Sequence, residues 1–177
     1  MIARLVPGIE APSLRCETVS HGLFDLAVDA PEGGTFIAFH RGRHCKWTRN
    51  ALKELDDRIG DFAIRGIRLI AASADGRAET ERLKEDMQLI RLPLAYSLDV
   101  AAIAEAFGLY VTRASSEPEA PALNFEPAQI WVKQDNVIGA VAIQSGPNLW
   151  ADVTNTLRGI ENTMKKFPER GAGETGK

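Results

Sequence analysis

Two short β-rich runs, "TFIAFH" at 35–40 and "IRLIAASAD" at 67–75, stand on either side of a segment whose apolar residues recur at helical spacing. With few polar positions, each run reads as a strand buried on both faces of a sheet. Between them Trp47, Ala51, Leu52, Leu55, Ile59, Phe62 and Ala63 fall three and four apart, which is one face of a helix, and Gly66 ends the element. A chain with this alternation has to layer helices on a sheet, so the fold class is α/β.

The remaining pattern agrees. "PGIEAPSLRCETVSHGLFDLAV" mixes β-leaning pieces with turn residues and predicts a hairpin-like lead-in. Residues 78–88 predict a surface helix, and "LPLAYSLD" at 92–99 a strand entering a turn. Asp99 caps "VAAIAEAFG", with Gly108 as its stop. Residues 112–127, "TRASSEPEAPALNFEP", read as a long polar loop, of the kind used as a lid or binding segment. "AQIWVKQDNVIGAVAIQ" reads as a hairpin turning at Asp135-Asn136. A last helix is expected to start near Pro147, with Trp150, Val153, Leu157, Ile160, Met164 and Phe167 as its inner stripe. Residues 1–167 form one domain on this reading, and 168–177 a disordered tail.

Composition removes several function classes. Of 177 residues 45% are apolar and 25% charged, and the formal net charge is −3. Such a chain has no overall attraction to nucleic acid or to an anionic membrane. It holds no apolar run of membrane-spanning length, and "MIARLVPGIEAPSL" lacks the apolar core of a signal peptide, so a cytoplasmic location is the expectation. Two cysteines in that setting make a reactive thiol a better question than a disulfide framework.

Cys45 falls where the first buried strand gives way to the helix. A helix N-terminus favours a thiolate, and His40, Arg41, Arg43, His44, Lys46 and Arg49 supply cations nearby in sequence. Half ionising an ordinary thiol at neutral pH needs roughly 2 kcal/mol. A helix terminus supplies about 0.3–1 kcal/mol, so at least one of those cations has to contribute. The other fate for Cys45 is that of a small buried hydrophobe, against which its polar neighbours argue. Cys16 alternates with Leu14 and is expected to face the core. Trp47 has core spacing, though an exposed ring there would meet a partner. His40-x3-His44-Cys45 lacks the fourth ligand of a structural metal site.

In order and spacing, "GIEAPSLRCETVSHGLFDL", "FIAFHRGRHCKWTRNALKEL", "LIAASAD" and "LPLAYSLDVAAIAEAFGL" resemble the alkyl hydroperoxide reductase/thiol-specific antioxidant (peroxiredoxin-like) family, from about Gly8 to the last helix. The resemblance implies a thioredoxin-like fold, a central mixed sheet flanked by helices, with Cys45 at the first turn of the helix after the central strand. It departs from the family's Pro-x-x-x-Thr/Ser-x-x-Cys at Ala38 and Gly42, and the substrate-orienting arginine is replaced near Pro127. The junction is similar instead to Arg-Gly-x-x-Cys-Pro-x-Cys, with Lys46 for the proline and Thr48 for the second cysteine. Pro127 matches the cis-proline position of the fold, so Glu126-Pro127 is expected to be cis, against an ordinary trans proline starting a strand.

Two readings follow. In the first, the chain is a thiol-dependent oxidoreductase acting on a small hydroperoxide or disulfide through Cys45. Arg41 and His44 tune the thiol or orient substrate, Thr48 donates to the sulfur or bonds local backbone, and Pro127 shapes the facing wall. No metal or nucleotide cofactor is implied. The reductant is an external thiol such as glutathione or thioredoxin, and a homodimer is admitted because many members of the family dimerise. In the second, the loss of the paired cysteine has left a non-catalytic binding or scaffold protein.

Overall fold

The computed structural model describes residues 5–114 and 116–173. The lead-in is the expected hairpin, β1 (Arg15–Val19) with β2 (Gly22–Asp25). Then come β3 (Thr35–Phe39), α1 (Lys46–Asp57), the short α2 (Ile59–Ala63), β4 (Arg68–Ala72), α3 (Arg77–Asp86), the two-residue β5 (Leu94–Ala95) and α4 (Val100–Phe107). The chain closes with β6 (Val111–Arg113), β7 (Leu123–Phe125), β8 (Ala128–Val132), β9 (Ile138–Ile143) and α5 (Val153–Lys165).

Seven strands make one mixed sheet in the order β2-β1-β5-β4-β3-β8-β9. β3, β4 and β5 run parallel, while β1 and β8 flank them antiparallel. The alternation along β3 divides the core. Ile37 and Phe39 point to one face with Phe107 of α4 and Phe125 of β7, whose rings lie 5.3 Å from that of Phe39. Phe36 and Ala38 point to the other with Leu52 and Leu55 of α1, Phe62 of α2, Leu83 of α3, and Val153, Leu157 and Ile160 of α5. β3 is therefore apolar throughout because both of its faces are covered.

Local chemistry sets the helix ends. Asp99 Oδ1 accepts from the Ala102 amide at 3.1 Å, and Gly108 closes α4 with φ 65°, as the sequence predicts. α5 begins later than expected: Asp152, accepting from the Asn155 amide at 2.7 Å, is its cap, and Pro147 lies in the preceding turn. Its inner stripe is Val153, Leu157, Ile160 and Thr163, whereas Met164 and Phe167 are exposed. On α1 the buried stripe is Thr48, Leu52, Leu55 and Asp56. Thr48 takes the inward place expected of Trp47, which one residue's rotation of about 100° carries out to solvent, 43% exposed.

Residues 112–127 are not a structureless loop. β6 and β7 pair as a separate antiparallel hairpin, Val111 opposite Phe125 and Arg113 opposite Leu123, held down by Phe125 in the core. Of the tail, residues 168–173 are described and form turns, with Gly171 against Pro7. Residues 174–177 lie outside the described residues.

Candidate active site

The chain leaves β3 through a tight connection to α1. The His40 amide still bonds Ala72 O at 3.0 Å, one step beyond the strand pairing. Gly42 then takes φ 112°, and a Cβ there would stand 2.4 Å from Asp75 Oδ1, so both conformation and space demand glycine. Asp75, just past β4, is buried and accepts from the Arg43 amide at 2.7 Å. A turn from the Cys45 amide to Gly42 O at 3.2 Å finishes the connection and leaves Cys45 as the residue that caps α1.

Cys45 is buried, against the expectation of exposure, yet it belongs to neither apolar cluster. Its surroundings are polar, because the chain around it supplies arginine and histidine. Cys45 is one of the groups that help to hold the charge of the Arg41 guanidinium. That guanidinium donates from Nη2 to both oxygens of Glu117, at 3.0 and 2.8 Å, and its Nε lies 3.3 Å from Glu126 Oε1. Burial works against its charge, but Glu117, the sulfur and Glu126 outweigh it and hold Arg41 above its ordinary value. His44 Nε2 lies 3.2 Å from Glu117 Oε2, while burial and the Arg41 charge lower its pKa.

The six cations expected around the thiol therefore divide. Arg41 is the one whose charge Cys45 helps to hold. His40 is fully buried with neither ring nitrogen bonded, its pKa pushed down to about 3 by burial and by His44, so it is a neutral imidazole. Arg43 turns toward α3, 2.9 Å from Asp86 and 3.3 Å from Glu79. Lys46 lies over the Trp47 ring at 5.0 Å, and Arg49 donates to Arg43 O at 3.2 Å. Thr48 is buried one turn beyond Cys45, but its hydroxyl bonds neither the sulfur nor the backbone. Pro127 is buried, one residue before the partner of Phe39, and so lies level with His40. The Glu126–Pro127 peptide is trans, which corrects the cis expectation: the proline simply leads into β8, and its carbonyl accepts from the Gln144 amide at 3.0 Å.

Cys16 packs on the α4 face of the sheet, and its thiol is pushed up to about 11 by burial, with Glu17 adding to the rise. α1, which Cys45 caps, packs on the opposite face. β1 is also three strand spacings from β3, roughly 14 Å, where a disulfide requires Cα atoms within about 7 Å.

Three acidic residues of this site, Asp75, Glu117 and Glu126, were not singled out in the sequence. The signal was present for two of them. Glu117 and Glu126 are acids in the polar 112–127 stretch, and the 40–49 junction is basic enough to require counter-ions.

Comparisons with known proteins agree with this architecture. No curated protein sequence matches the chain. Among solved structures, the reduced 2-Cys peroxiredoxin of Plasmodium vivax superposes with a TM-score of 0.77 at 15% identity, covering 94% of this chain and 86% of its own. A peroxiredoxin-like protein from Aquifex aeolicus gives 0.72 at 12%, with 90% and 88% covered. The yeast mitochondrial 1-Cys peroxiredoxin gives 0.69 at 13%, with 93% and 79% covered. At such identities the likeness establishes the fold, the thioredoxin-like α/β sheet of peroxiredoxins. The AhpC/TSA family model matches residues 5–141, from the first buried leucine to the last strand, and with most of its length so matched the chain belongs to the AhpC/TSA family.

Proposed function

We propose that this protein is a thiol-dependent peroxidase in which Cys45 is the nucleophile and the reductant is an external thiol. The observation that carries the reading is the placement of Cys45 at the cap of a 12-residue helix with no acidic residue in its first turn, four residues after Arg41, a buried guanidinium whose charge Cys45 helps to hold. A positive charge fixed at this junction faces the negative charge that develops on a departing oxygen.

In the reaction, the Cys45 thiolate attacks the terminal oxygen of a hydroperoxide. The O–O bond breaks, the alkoxide leaves and takes a proton, and Cys45 becomes a sulfenic acid. A thiol then attacks that sulfur and water departs, giving a mixed disulfide. A second thiol displaces Cys45 as thiolate and leaves as the disulfide. The position of Cys16 on the other face of the sheet supports a reductant from outside the chain. The yeast mitochondrial relative, whose thiol is resolved via glutathione/thioredoxin systems, supports the same choice. The alternative substrate, a small disulfide, would enter at the mixed-disulfide stage. Thr48 lies one turn from Cys45, its hydroxyl buried and without a partner.

The test is hydroperoxide consumption with glutathione or a thioredoxin system, in a Cys16→Ser background, alongside dimedone capture of sulfenic acid at Cys45. Cys45→Ser is expected to abolish both, and Arg41→Leu to slow turnover about a hundredfold. A Cys45→Ser protein that turns over as fast as its parent overturns the proposal.

A further inference from the structure

We propose that Arg41 and His44 form a carboxylate subsite, occupied in this structure by Glu117, and that the thiol or hydroperoxide acting at Cys45 carries a carboxylate close to its reacting atom. This deepens the reading of Cys45 as a working thiol and rests on it.

Arg41 and His44 are built into the protein, whereas the carboxylate is not. The side chains of Arg41 and His44 are 6% and 5% exposed, and that of Glu117 is 41% exposed. Glu117 belongs to the connection between β6 and β7, outside both strands and outside both apolar clusters. What fastens that connection to the 41–44 segment, among the described residues, is Glu117 on Arg41 and His44, and Glu119 at 3.6 Å from Arg43.

Neutralising Arg41 does not require Glu117. Glu126, buried like the arginine, stands 3.3 Å from its Nε and already provides a counter-ion. Glu117 is thus a second carboxylate on one guanidinium, both oxygens on Nη2 and one of them facing His44. A buried guanidinium nitrogen that donates to both oxygens of a carboxylate is a charge-assisted recognition contact, and an exposed side chain that fills it is exchangeable for a ligand of the same chemistry. Cys45, four residues on at the cap of α1, acts on the same guanidinium, which sets what that ligand must look like. Its carboxylate and its reacting atom are separated by about the span of one guanidinium, as in a small thiol acid or a short peptide thiol. His44, its pKa lowered by burial and the Arg41 charge, adds a ring nitrogen to the same carboxylate position.

Iodoacetate and iodoacetamide differ in this one group and both alkylate thiols. In the Cys16→Ser background, Glu117→Gln removes the competing negative charge from the subsite without touching the buried Arg41 and His44. The ratio of iodoacetate to iodoacetamide rates at Cys45 is expected to rise about tenfold over the parent, a change of the size of one charge-assisted hydrogen bond. The further change Arg41→Gln should return it to the parent value, with Arg41→Lys intermediate. A ratio indifferent to Glu117 and Arg41 overturns the subsite while leaving Cys45 reactive. The His44 imidazole resonances provide the second measurement. On addition of succinate to the Glu117→Gln protein they are expected to shift and saturate. A Cys45 inert to both reagents, with that shift intact, would overturn the peroxidase reading and keep the subsite. An unmoved His44 in the same protein would overturn the subsite.

Discussion

Gly42 and Asp75 hold the Cys45 connection from two sides, one by having no side chain and the other by accepting from the Arg43 amide. The Asp75 carboxyl is pushed up from an ordinary value of 3.8 to about 6, chiefly by burial; Glu79 adds to the rise, and the Arg43 amide and charge oppose it. A group whose folded pKa lies above its unfolded one stabilises fully below the unfolded value and loses that contribution as pH rises through the folded value. Asp75 by itself therefore makes the fold less stable between about pH 4 and 6. Asp75→Asn keeps an oxygen for the Arg43 amide and removes the titration. Urea midpoints of variant and parent, compared from pH 4 to 7, should move steadily in favour of the variant; a constant offset would contradict the argument. The glycine was visible in the sequence as part of Arg-Gly-x-x-Cys, but its reason was not, because Asp75 lies 33 residues along the chain and meets it only after β3 and β4 pair.

At the scale of elements, α1 is anchored by a residue that propensity would place on a solvent face. Asp56 is buried, and its carboxylate accepts from the amides of Ile90, Arg91 and Leu92 at 3.2, 2.8 and 2.7 Å. Burial opposes its charge, but the three amides outweigh burial and hold the pKa below the ordinary carboxylate range. Its contribution is present above that range and is lost as pH falls through the lowered value. Asp56→Ala leaves those amides without their acceptor and should lower stability by about 2–4 kcal/mol, read from urea unfolding at neutral pH. Strands and helices were legible wherever a single period and its caps acted locally, as in α4 between Asp99 and Gly108. The β6–β7 hairpin was not, because its polar composition hides three cross-strand pairs and the one buried ring, Phe125, that fixes them. Trp47 was misplaced for a related reason: periodicity tolerates a shift of one residue at a helix's first turn, and packing of Thr48 decides it.

For the whole molecule, one sheet serves two cores, so neither helical layer can leave without exposing the other side of the same strands. Leu52→Ala on one face and Phe107→Ala on the other should each cost about 2–5 kcal/mol. Both should shift a single transition, with far-UV and fluorescence midpoints coinciding. Separate transitions for the two variants would refute the shared-sheet account. The class of fold was readable from the alternation of strands and helices, and the family from the junction at Cys45. The order of strands was not, since β1 finds its place beside a two-residue β5 only through contacts distant in sequence. The rotation that carried Trp47 outward has a practical consequence. Of the three tryptophans, Trp131 is buried and Trp150 half-buried, while Trp47 faces solvent two residues from the sulfur. The protein thus carries its own red-edge fluorophore on the first turn of α1, and aqueous quenchers that reach that indole would single out its emission and report changes at that end of the helix without an added dye.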